Sequence, residues 1–140
     1  MTDIIIQGIG GRMGHALCEM IANRSDCRVV AGIDQQDGEQ NGIPVYDSLE
    51  KLAGKGDVII DFSAPAAVEK ALTYCEAHKM PIVVCTTGLS EELQLKVVQL
   101  SRIVPVFKSA NMSIGINLLS ELCKRASAIL GCLLYTSPSP

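Results

Sequence analysis

The stretch IIIQGIGGRMG, residues 4–14, decides how this chain is read. Ile4-Ile5-Ile6 is a β-branched run of the kind a strand buries, and it is closed by the cluster Gly8-Ile9-Gly10-Gly11-Arg12-Met13-Gly14. From Arg12 to Asn23, apolar side chains recur at Met13, Leu17, Met20 and Ile21, the spacing of one helix face. The order is strand, tight turn, amphipathic helix.

Each glycine of that turn has a physical use if a dinucleotide sits there. Gly8 permits the turn, Gly10 and Gly11 let backbone approach a pyrophosphate whose charge meets the first N–H groups of the helix, and Gly14 lets the helix pack close to the sheet. Taken alone, the pattern serves equally well as a βα turn chosen for its backbone angles. The residues around it add weight. Arg28 to Asp34 reads as a second, mostly apolar strand, and it ends in Asp34, 20 residues after Gly14. A carboxylate at that spacing can accept both hydroxyls of an adenosine ribose; a solvated loop aspartate is the plainer reading.

Outward from this unit the alternation continues. Gln35 to Gly42 reads as polar loop. Ser48 caps a short helix, Leu49 to Leu52, and Asp57 to Phe62 is a third strand. Pro65 opens a helix carrying Val68, Ala71, Leu72 and Cys75, and Ile82-Val83-Val84 is the fourth strand. Ser90 with Glu91 and Glu92 starts a helix through Leu93, Val97 and Leu100, and Ile103 to Phe107 is the fifth strand. Five strands separated by helices call for a parallel sheet with right-handed crossovers and helices on both faces. The fold class is α/β, a doubly wound, Rossmann-type dinucleotide-binding domain over residues 1–112. From Ser113 the pattern changes to one long helix with a stripe at Leu118, Leu119, Leu122, Ala126 and Ile129, ending at Gly131. Cys132 to Pro140 continues neither period and reads as an unstructured tail.

Composition bounds the function. The chain has 140 residues and 14.9 kDa, 48% apolar and 19% charged, with a mean hydropathy of +0.28, enough for one core but not for two independent domains. Lys plus Arg total 12 against 15 Asp plus Glu, with 4% aromatics and no basic run, so nucleic acid is not the expected partner. No apolar run approaches the ~18 residues a membrane-spanning helix needs. The six cysteines, Cys18, Cys27, Cys75, Cys85, Cys123 and Cys132, form no Cys-x-x-Cys pair and no signal peptide precedes them, so they read as reduced thiols of a cytoplasmic protein. His15 and His78 stand far apart, and no metal site is expected.

Three further segments follow predicted strand ends, the edge at which open α/β sheets bind ligands. Asp61-Phe62-Ser63-Ala64-Pro65 and Cys85-Thr86-Thr87-Gly88 also satisfy ordinary capping and turn chemistry, and Asn111, within Ser109-Ala110-Asn111-Met112-Ser113, has an amide that suits a nicotinamide or a backbone equally. Both histidines lie on helices and neither is a strong base candidate. The residues by themselves indicate dinucleotide binding and do not name a reaction.

Together the motifs GIGGRMG at 8–14, DFSAP at 61–65, CTTG at 85–88 and SANMSIGIN at 109–117 resemble the 4-hydroxy-tetrahydrodipicolinate reductase (dihydrodipicolinate reductase) family, from about residue 2 to Gly131. The resemblance implies reduction of a cyclic, imine-type dicarboxylate on the diaminopimelate route to lysine, with NADH or NADPH, by a cytoplasmic homotetramer. It places the pyrophosphate on Gly8, Ile9, Gly10, Gly11, Arg12 and Met13, and the adenosine ribose on Asp34. The nicotinamide half falls to Cys85, Thr86 and Thr87 and to Ser109, Ala110, Asn111 and Met112. Phe62 and Ser63 stand where the family usually has Phe-Thr, keeping the hydroxyl, and Cys85 where many members have Gly. The family's substrate domain, with its His-His-x-x-Lys-x-Asp-Ala-Pro-Ser-Gly-Thr motif, has no counterpart in residues 1–140. The expectation is therefore a truncated frame: a cofactor-binding domain, the first helix (113–131) of a second domain, and a non-native tail at 132–140, holding no catalytic residue. Two alternatives stand beside it, an NAD(H)-sensing module that does not catalyse and the amino-terminal half of another amino-acid-pathway dehydrogenase. Asp34, followed by Gln35 and Gln36 with no cation, favours NADH over NADPH.

Overall fold

A computed structural model of the chain describes residues 1–52, 54–109 and 114–134. It begins with β1 (Thr2–Gln7), α1 (Arg12–Ala22), β2 (Cys27–Ile33), β3 (Gly38–Gln40) and β4 (Ile43–Tyr46), then a 3-10 turn at Leu49–Leu52. There follow β5 (Val58–Asp61), α2 (Pro65–His78), β6 (Ile82–Val84), α3 (Glu91–Leu100), β7 (Val106–Lys108) and α4 (Ile114–Leu134). Residues 1–110 and 111–140 form two separate units.

In the first unit the seven strands lie in the order β3-β4-β2-β1-β5-β6-β7, all neighbours parallel except β3 and β4. The isoleucine run explains why β1 is central: Ile4, Ile5 and Ile6 are all buried, as a strand covered on both faces requires. Its two-residue alternation sorts the core. Ile4 and Ile6 join Cys18 and Ile21 of α1, whereas Ile5 joins Val68, Leu72 and Cys75 of α2 and Leu93 and Val97 of α3. Helices thus cover both faces, and the sheet is doubly wound. Pro65 stands in the first turn of α2, and the Ser90 hydroxyl caps α3 by accepting the Leu93 N–H at 3.2 Å.

Three expectations are corrected. The sheet has seven strands, not five, because β3 falls inside the stretch read as polar loop and β4 follows it. Both are short, Pro44 interrupts the strand signal, and β4 meets β2 at only two residue pairs, Gly32 with Val45 and Ile33 with Tyr46. The last strand begins at Val106 rather than Ile103, since the amides of Ile103 and Val104 bond back to Leu100 O at 2.9 and 3.0 Å and prolong the turn after α3 up to Pro105. The long helix runs to Leu134, past Gly131, a residue that lowers helix propensity without ending a helix. Within it Arg125 pairs with Glu121 at 3.2 Å, and Leu118, Leu119 and Leu122 are exposed. Residues 135–140 of the expected tail lie outside the described residues.

Candidate functional site

The turn after β1 is bent by two backbone bonds, Gly8 N–H to Ile33 O at 2.8 Å and Gly11 N–H to Gly8 O at 3.1 Å. Gly8 has φ +79°, and a Cβ there would stand 2.7 Å from Phe62 O. Gly14 is tighter still, with Ile9 O 2.4 Å and Gly8 O 2.5 Å from the place of a Cβ, so its lack of a side chain lets α1 lean on the turn. Helix α1 starts from Gly11 with no side-chain cap and no acidic residue in its first turn, which leaves its N-terminal N–H groups for an anion. Ile9 is fully buried, while Gly10, Arg12 and Met13 are exposed at the helix start.

Asp34 follows β2 directly, and its carboxylate faces this turn. Oδ2 accepts the Gly10 N–H at 2.8 Å and Oδ1 accepts the Gln35 N–H at 2.8 Å. A carboxylate has about four lone-pair positions, so two remain for a second ligand. Cavities open on both sides of it. One of about 790 Å³ is lined by Gly8, Gly11, Asp34, Phe62, Ser63 and Lys70 among others; a smaller one of about 360 Å³ takes in Ile9, Gly10, Asp34 and Gln40. The uncapped helix end and the carboxylate held beside it fit the pyrophosphate and ribose of a dinucleotide, by the chemistry of the donors and acceptors themselves.

The other candidates cluster at the ends of β5 and β6. Asp61 is fully buried; its Oδ1 accepts the Ser63 N–H at 3.3 Å and the Ser63 hydroxyl, and its Oδ2 accepts the Thr86 hydroxyl at 2.6 Å. Burial pushes its carboxyl above the usual range, against the pull of the Ser63 and Thr86 hydrogen bonds. Gln7, at the end of β1, reaches the Ser63 hydroxyl at 3.3 Å and Ala67 O at 2.9 Å. Thr86 and Cys85 are buried, Thr87 is exposed, and the Ser109 N–H reaches Val84 O at 3.2 Å. The structure therefore unites Gly8, Gly11, Asp34, Phe62 and Ser63 around one cavity, and joins Thr86 to Ser63 through Asp61. Ala110, Asn111 and Met112 lie outside the described residues. Among the described residues no helix is long and apolar enough to cross a membrane, and no group of three or more His, Cys, Asp or Glu could hold a metal.

Cys18, Cys27, Cys75, Cys85 and Cys123 are unpaired. Burial, with the Asp61 charge nearby, pushes the Cys85 thiol up to about 11 and that of Cys75 to about 12. Since the thiolate is the reactive form, alkylation at pH 8 should label exposed Cys123 first and Cys85 roughly a hundredfold more slowly. Peptide mass mapping reads this directly. Equal labelling of Cys85 would mean that the loop after β6 stands open.

The family profile described as dihydrodipicolinate reductase, N-terminus, matches residues 2–112. The chain belongs to the dihydrodipicolinate reductase family. Within that family it is 41% identical over 130 residues to the 4-hydroxy-tetrahydrodipicolinate reductase of Clostridium novyi, covering 93% of this chain and 52% of the relative. The reductase of Caldanaerobacter subterraneus is 38% identical, with 93% and 51% covered. The chain spans about half the length of the curated relatives it matches. Among solved structures, the dipicolinate-bound dihydrodipicolinate reductase of Paenisporosarcina sp. TG-14 superposes with a TM-score of 0.77 at 25% identity, covering 91% of this chain and 54% of that one. The aspartate dehydrogenase of Thermotoga maritima shares the fold, at a TM-score of 0.65 and 15% identity, with 86% and 51% covered.

Gln7 has no place among the residues singled out in the sequence, and Asp61 stands there only as the first residue of the segment 61–65, with no role assigned. Each is a polar residue closing an apolar strand at the carboxyl edge of the sheet, and that position was the signal available.

Proposed function

We propose that this chain is the cofactor-binding part of an NAD(P)H-dependent 4-hydroxy-tetrahydrodipicolinate reductase, acting on a cyclic dicarboxylate in diaminopimelate and lysine biosynthesis. Residues 1–112 form the dinucleotide domain and α4, Ile114–Leu134, the first helix of a substrate domain, in a cytoplasmic homotetramer. The pyrophosphate lies on Gly8 to Met13, the adenosine ribose on Asp34, and the nicotinamide half against Phe62, Ser63, Cys85, Thr86, Thr87 and the segment Ser109 to Met112. The observation that carries this reading is the Asp34 carboxylate fixed beside the uncapped start of α1 by the Gly10 N–H at 2.8 Å. Family membership supports this choice of reaction. A nicotinamide, when bound, would supply hydride, and the residues named above would hold and orient it.

The same carboxylate favours NADH. The larger cavity carries Asp34, Asp47 and Glu50 against Lys70, the one lining cation among the described residues, and Asp47 is already paired with Lys51 at 2.8 Å. A 2′-phosphate beside Asp34 meets a like charge, partly exposed to solvent, at a cost of about 1 kcal/mol, roughly a fivefold loss of affinity. Titration of both cofactors at low salt should give tighter NADH, and Asp34→Asn with Gln35→Arg should reverse the order. Tighter NADPH binding by the unchanged chain would place Asp34 away from the ribose and sink this assignment.

A further inference from the structure

Asp61 is a buried carboxylate that forms no ion pair among the described residues. Burying such a group is costly unless its oxygens are fully hydrogen-bonded, so what bonds it indicates what it does. Its donors come from two different loops. Ser63, two residues on, belongs to the crossover from β5 to α2, while Thr86, 25 positions away, belongs to the loop after β6. Backbone pairing adds to the link, with Phe62 N–H on Gln7 O at 2.9 Å and Cys85 N–H on Asp61 O at 3.0 Å. Gln7 extends the network to β1 and α2 by its amide bonds to the Ser63 hydroxyl and Ala67 O. Three adjacent strands, β1, β5 and β6, are thus tied together where they end, and one carboxylate is the junction.

We propose that Asp61 is a positioning residue for the nicotinamide half of the cofactor: it touches no ligand itself, and by holding the Ser63 and Thr86 hydroxyls it fixes the spacing of the two loops between which that half lies. This rests on the cofactor reading above. Three geometric facts support it. The carboxylate is wholly enclosed, so its influence on a ligand must pass through the residues it holds. The Ser63 hydroxyl donates to Asp61 and accepts from Gln7, which explains why a hydroxyl at this position serves the loop rather than the ligand. Among the described residues no hydrogen bond joins Gly8 to Met13 or Asp34 to the side chains of Gln7, Asp61, Ser63 or Thr86, so the adenosine half should not sense the network.

The test compares two probes on the full 140-residue chain: NADH, and ADP-ribose, which has the adenosine, pyrophosphate and second ribose but no nicotinamide. Asp61→Ala should weaken NADH about tenfold and leave ADP-ribose within twofold. Asp61→Asn should stay near the unchanged chain for both, because its amide can accept from Ser63 and donate to Thr86, whose own proton then turns to Ser63 O, 3.2 Å away. Should Asp61→Ala not fold, Asp61→Ser, whose single hydroxyl cannot span both loops, should give the same division between the probes. Equal weakening of both ligands, or of neither, in the folded variant overturns the positioning role while leaving the cofactor reading intact. Failure of the unchanged chain to bind either probe overturns the cofactor reading and the positioning role with it.

Discussion

Gly14→Ala should lower the melting temperature by roughly 10 °C and weaken NADH by roughly a hundredfold. The added Cβ lands 2.4 to 2.6 Å from Ile9 O, Gly8 O and Ile9 Cα, all backbone, so no side chain can swing away and α1 must lift off the turn. Overpacking against fixed atoms costs about 3 kcal/mol, which for a domain of this size corresponds to the stated shift in melting temperature. Lifting the helix also withdraws its first N–H groups from the phosphates; two hydrogen bonds to a charged group are together worth about 3 kcal/mol, hence the loss of affinity. Gly38→Ala is the matched control. A Cβ there meets nothing within 4 Å, so the same chemical change should alter stability by less than ~1 kcal/mol and leave binding unchanged. Calorimetry of the two variants decides the point, and similar behaviour of the pair would show that Gly14 is not pressed against the turn.

The second large effect is on turnover. The purified 140-residue chain should bind NADH and show no reductase activity, because hydride transfer needs an acceptor held against the ring and a proton delivered to it. None of Cys85, Asp61, His15 and His78 is placed to deliver one. The Cys85 thiol is held up at about 11, and Asp61 is enclosed by the bonds of Ser63 and Thr86. His15 Nδ1 lies 3.2 Å from the Gln40 amide nitrogen on the first turns of α1, and His78 Nδ1 lies 3.0 Å from Tyr74 O at the far end of α2. Oxidation of NADH followed by absorbance, with the family's cyclic dicarboxylate as acceptor, checks this. A rate that scales with the chain and disappears in Gly14→Ala would contradict it.

The parts of the molecule legible in the sequence are those whose physics is local. Ile4-Ile5-Ile6 followed by a glycine turn and a helical stripe could hardly fold otherwise, and Pro65 and Ser90 mark helix starts by properties of single residues. Even the missed hairpin left a local trace. Asn41-Gly42 joins β3 to β4 with φ values of +52° and +79°, the two-residue turn this dipeptide favours, but the three and four residues that flank it are too few to show a strand period. The network around Asp61 left less to read. Its bonds join Gln7 to Ser63 and Asp61 to Thr86, 56 and 25 positions apart, so they follow from the strand order β1-β5-β6 and from no spacing along the chain. The motifs DFSAP and CTTG follow β5 and β6 at the carboxyl edge of the sheet, yet which of their residues would face a ligand and which face one another is a tertiary fact.

The central claim is that a nicotinamide dinucleotide lies across the turn after β1 with its adenosine ribose on Asp34. Amide chemical shifts recorded while NADH is titrated into the 140-residue chain test it most directly. The account predicts saturable shifts that are largest at Gly8 to Met13 and at Asp34 and Gln35, and that collapse in Gly14→Ala. Saturable binding that leaves those amides unmoved, or no binding at millimolar NADH, would contradict it.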